Sequence, residues 1–237
     1  MALDRLGAGF RAFVSSSHAQ RFIEPTETLF GISPAQPFYR KHPPGARHAD
    51  LLCALECAAF DELLRECERP TPCRSRAESI FWTVGAKQVG KAALAGWREV
   101  VIPALQRGAG LWPFDGPLCS LHANPLTIAE TYPAEVYQHI GMRRTTAKRT
   151  QAGRKEGCAA IFAWANLNRI DVSTDIEQAM RDGFGVRADG EDPFDALAGL
   201  CGMIEVADGR RAEAPAMPPL SFPREGWILG QTDLPSA

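Results

Sequence analysis

The stretch from Gly190 to Ala207 constrains this chain most. It opens Gly190, Glu191, Asp192, Pro193, Phe194, Asp195 and then runs apolar through Ala196, Leu197, Leu200, Met203, Ile204 and Val206. Apolar residues this dense over several turns demand a helix buried against a neighbour. Asp192 is placed to N-cap that helix, with Pro193 at the first helical position, where a missing N–H costs nothing. Asp195 then falls on about the same face as Asp192. The pair reads in two ways. It is either a cap with a first-turn acid favoured by the helix dipole, or a platform for a divalent cation, since Mg²⁺ takes hard oxygen ligands.

Around this stretch the 237 residues have room for one large domain or two small ones, with a real core. A net charge of −2 argues against a globally basic nucleic-acid binder but leaves a local basic patch open. The only basic concentration is Arg143, Arg144, Lys148, Arg149, Arg154 and Lys155. It is either solvated surface or a set of phosphate contacts. Nothing resembles a secretory signal or a membrane span, so the expected location is the cytoplasm, with no membrane partner.

Seven cysteines are an odd number, and Cys53, Cys57, Cys119, Cys158 and Cys201 stand among apolar or small neighbours, as reduced core residues do. Cys53, Cys57, Cys67 and Cys73 lack the paired spacing of a zinc site.

Along the chain, residues 1–47 are rich in Gly and Pro and leave space for short elements, such as a helix over Leu3 to Val14. A helix is expected from Asp50 to Glu68 and another over Ala86 to Gln106, with Pro103 a kink or a stop. Gly85 to Lys91 has the spacing of a phosphate-cradling loop, but Ala92 stands where Mg²⁺ needs a hydroxyl. Short strands are expected at Leu111, at Leu126 to Glu130 and at Trp227 to Leu229, with Asp115 closing a turn beside Gly116. Ligands of open α/β sheets bind beyond the carboxyl ends of strands, which singles out Glu130. Helices follow over Ala134 to His139 and Gly157 to Leu167, then one capped by Ser173 that ends at Gly183.

Several of these landmarks occur in a familiar order. Ile128 to Pro133, then Lys148, Arg149 and Arg154, then Glu191 to Ala196, then Glu225 to Ile228 resemble the uncharacterised bacterial domain family 429, described as predicted RNase H-like nucleases. Phe81 to Gly85 and Trp112 to Gly116 fit the same resemblance. It implies an α/β fold, a mixed sheet flanked by helices, over residues 48–237, behind an irregular segment 1–47 and without the opening strands of that fold. It also implies Glu130, Asp192 and Asp195 as catalytic residues and ligands of Mg²⁺ or Mn²⁺, with Lys148, Arg149 and Arg154 on nucleic acid. Phosphodiester hydrolysis by two metals is the activity so implied. The alternative is a non-catalytic scaffold that binds nucleic acid or a protein partner, and a third reading is nucleotide binding through Lys91. Missing strands would leave an open sheet edge for self-association.

Overall fold

The computed structural model describes residues 10–39, 47–81, 89–143 and 147–235. The chain divides into two compact units. The first comprises residues up to Ala129 with Met217–Trp227 and Leu234–Ala237, and the second comprises Glu130–Ala216 with Ile228–Asp233.

The first unit carries α1 (Phe10–Val14), α2 (Ser17–Phe22), α3 (His48–Ala54), α4 (Val89–Gly96) and α5 (Ile102–Gln106). Between the last two, Trp97–Val101 forms a turn of π-helix, so the helical path is continuous up to and past Pro103. The expected helix over Asp50 to Glu68 stops at Ala54 instead. Glu56 takes a left-handed φ of 58°, and Glu62 and Glu68 each reach back to cap a short 3-10 turn of their own. An aromatic cluster of Phe13, Phe22 and Phe38 fills one core, and Tyr39, Leu51, Leu55 and Leu63 fill another. The phosphate-loop residues 85–88 lie outside the described residues, as do residues 82–84 of the Phe81 to Gly85 segment.

The same unit holds the only sheet among the described residues, two parallel strands of two residues each, β1 (Gly110–Leu111) and β2 (Thr127–Ile128). This corrects the expected RNase H-like fold: a pair this short is not a mixed sheet flanked by helices. The reasons are local. Pro113 has no N–H to extend β1. The segment at Trp227 to Leu229 lies between Gly226 and Gly230, both at positive φ, and contributes one isolated bridge from Ile228 to Glu130. Asp115 closes its turn by accepting the Leu111 N–H at 2.8 Å.

The second unit is helical: α6 (Pro133–His139), α7 (Gln151–Leu167), α8 (Thr174–Asp182) and α9 (Glu191–Ala207). Thr150 caps α7 by accepting the Gly153 N–H at 3.1 Å, six residues earlier than the expected start. Gly183, at φ 63°, ends α8 in a left-handed cap. Val136, Tyr137, Cys158, Ile161, Trp164, Met180, Phe194, Ala198 and Cys201 form one core.

Small residues let these helices approach closely. A Cβ on Gly202 would stand 2.5 Å from Val136, and one on Gly157 would stand 2.6 Å from Phe194. Of the five cysteines expected in cores, Cys158 and Cys201 are buried, whereas Cys53 and Cys119 are exposed. No helix among the described residues is long and apolar enough to cross a membrane.

Candidate functional site

Helix α9 starts at Glu191, one residue before the expected cap, so Asp192 sits inside the first turn and is exposed. Glu191 and Asp195 are one turn apart and share a face. Into that face comes Lys148, from the loop before α7. Its Nζ lies 2.6 Å from Oδ2 of Asp195 and 3.1 Å from Oε1 of Glu191. The Tyr137 hydroxyl donates to Oδ1 of Asp195, and the Lys148 ammonium lies 5.9 Å from the centre of the Tyr137 ring. Arg149 completes the cluster, with Nε 3.9 Å from Oε2 of Glu191 and a side chain 73% exposed.

The electrostatics fix both proton donors in their protonated forms at neutral pH. Burial works to lower the Lys148 pKa, but the hydrogen bonds and charges of Asp195 and then Glu191 outweigh it and leave it raised. For Tyr137, burial and the hydrogen bond to Asp195 act together to push the phenol far above its ordinary range. Neither group serves as a base or nucleophile near pH 7. What remains is a pair of carboxylates that hold an ammonium in place. An ammonium has three N–H donors, and the two carboxylates account for two.

Of the six residues singled out in the sequence, three meet here: Lys148, Arg149 and Asp195. Glu130 is exposed in the second unit, where its backbone bridges Ile228 and its carbonyl accepts the Leu229 N–H at 2.8 Å. Among the described residues, Glu130, Asp192 and Asp195 do not bring ligand oxygens within 4.8 Å of one another. Both Asp195 oxygens are engaged by Tyr137 and Lys148. This donor set does not fit the implied pair of Mg²⁺ or Mn²⁺ ions, which needs converging open carboxylates.

Arg154 is fully buried. Its guanidinium donates to four backbone carbonyls at 2.8 Å, from Nε to Gly183, from Nη1 to Lys148 and from Nη2 to Gly185 and Arg187. It has no face to offer a nucleic acid.

Sequence reasoning missed Glu191 and Tyr137. Glu191 had a signal, its i,i+4 spacing from Asp195. Tyr137 had none, because its phenol reaches Asp195 across 58 residues of chain. No protein-family model, no curated protein and no solved structure matches the chain.

Proposed function

We propose that the second unit is a non-catalytic binding module that grips the phosphate backbone of single-stranded nucleic acid through Lys148 and Arg149. The observation that supports this is the carboxylate-held ammonium. Asp195 and Glu191 fix the Lys148 side chain beside the exposed Arg149 fork, so two cationic groups stand ready for one anionic ligand. Pre-orientation lowers the entropy lost when a long side chain binds. Compensation by the same carboxylates keeps the attraction weak, as suits a backbone contact without base readout.

Hydrolysis is not part of this role, because no set of open acids converges among the described residues and both Lys148 and Tyr137 hold their protons. Its test is a titration of fluorescein-labelled oligothymidylate followed by anisotropy. Arg149→Ala, at an exposed position, weakens binding without loss of fold. Wild-type protein that does not bind at low salt, or an Arg149→Ala variant that binds as wild type, contradicts the reading. Cleavage of the probe in the presence of Mg²⁺ or Mn²⁺ contradicts the non-catalytic part.

A further inference from the structure

Arg154 is the least expected residue of the second unit. A charged group taken wholly out of water ordinarily has a carboxylate partner. Among the described residues none is paired with it, and its guanidinium is satisfied by the carbonyls of Lys148, Gly183, Gly185 and Arg187 alone. Those carbonyls belong to two separate stretches. One is the loop that carries Lys148 and Arg149. The other is the turn that runs from the end of α8 into the start of α9, where Glu191 stands.

The surroundings are cut to the guanidinium. A Cβ on Gly190 would lie 2.9 Å from Nη2 of Arg154 and 2.5 Å from the Phe184 carbonyl, so the residue just before Glu191 packs directly on the buried cation. A Cβ on Gly153 would lie 2.2 Å from the Ala147 carbonyl, which presses the Lys148 loop onto the first turn of α7. A planar fork with five donors spans two chain stretches in a way that a lysine ammonium does not.

We propose that Arg154 is the positioning residue of the phosphate-binding site. It holds the Lys148 loop and the Gly183 to Glu191 turn at one separation, so that the ammonium meets Glu191 and Asp195, while Arg154 itself touches no ligand. The proposal rests on the phosphate-binding reading for its function, but its geometry is tested separately.

The test is acetylation of the intact protein by acetic anhydride, with Lys148 followed against exposed Lys155 by peptide mass spectrometry. In the wild type Lys148 reacts more slowly than Lys155, because its carboxylates keep it protonated. In Arg154→Lys, with helicity and a cooperative melt retained, Lys148 loses its protection and reacts as fast as Lys155. In Arg154→Ala, millimolar guanidinium restores the protection and the same concentration of tetramethylammonium does not.

A folded Arg154→Lys variant with wild-type protection of Lys148 overturns the proposal. So does an Arg154→Ala variant whose protection is equally indifferent to both cations. Should Arg154→Ala fail to fold, Arg154→Lys alone decides. Oligothymidylate binding is measured on the same samples: wild-type protein that does not bind it brings down the phosphate reading, and unchanged protection brings down the positioning role.

Discussion

Gly157 of α7 faces Phe194 of α9 with no room for a further atom between them. A Cβ at this glycine would stand 2.6 Å from the ring and 2.8 Å from the Met142 methyl. Phe194 is fully buried and cannot swing away, so the contact fixes how closely the two helices pack.

Gly157→Ala is therefore expected to destabilise the protein by about 1–3 kcal/mol through overpacking. Helix propensity alone predicts the opposite sign, a gain of about 1 kcal/mol. Gly96→Ala supplies the control, since nothing lies within 4 Å of the added carbon there. Urea melts that show the first variant weakened and the second unchanged or stabilised support this packing. Two equal gains contradict it.

The alkaline limb of stability follows from Lys148 and Tyr137. The pKa of each is raised in the fold, so the folded state keeps a proton that the unfolded chain releases near pH 10. Their contribution is complete below that pH and is lost as pH rises above it. Tyr137→Phe is expected to flatten the loss, and the phenolate absorbance of Tyr137 is expected only on unfolding. Denaturant midpoints from pH 8 to 11 in both proteins check this.

At the acid end the relevant group is His139. Burial, and next the Arg211 charge, lower its pKa to about 4 against partial compensation by Asp233 and Glu205, and its buried Nε2 has no hydrogen-bond partner among the described residues. Unfolding releases it to an ordinary histidine value near 6.5. Between those values the unfolded chain binds the extra proton, so its contribution is complete above pH 6.5 and falls as pH drops towards 4. His139→Asn is expected to lessen the dependence of the midpoint on pH over that window. An unchanged dependence contradicts the assignment.

The cysteines divide by burial. Removal from water pushes the Cys158 thiol up to about 11 and the Cys201 thiol up to about 12, which leaves almost no thiolate at pH 8. Alkylation at that pH is expected to label exposed Cys53 and Cys119 first and to reach Cys67, Cys158 and Cys201 only after denaturant is added. Peptide mass spectrometry reads the order directly.

The second unit was largely legible in the sequence because its helices carry local punctuation. Pro133, Gly183 and the apolar period from Phe194 to Val206 mark ends and faces without help from distant residues. The first unit was not. Its extended segments look like strands residue by residue, yet Pro113 stops β1 and leaves two pairs with β2. Of the candidate site residues, Asp195, Lys148 and Arg149 come together in the fold, but nothing in a spacing of 47 residues says that Lys148 meets Asp195. Arg154 misled because charge in a sequence reads as surface. The four carbonyls that hold it below the surface come from turns whose geometry exists only in the folded chain.

The salt dependence of oligothymidylate binding tests the central claim most directly. Two phosphate contacts, from Lys148 and Arg149, predict a slope of log K against log salt of about −1.4, and loss of one contact in Arg149→Ala reduces it to about −0.7. A wild-type slope near zero, or one that the Arg149 substitution leaves unchanged, would contradict the assignment of these two residues to the phosphate backbone.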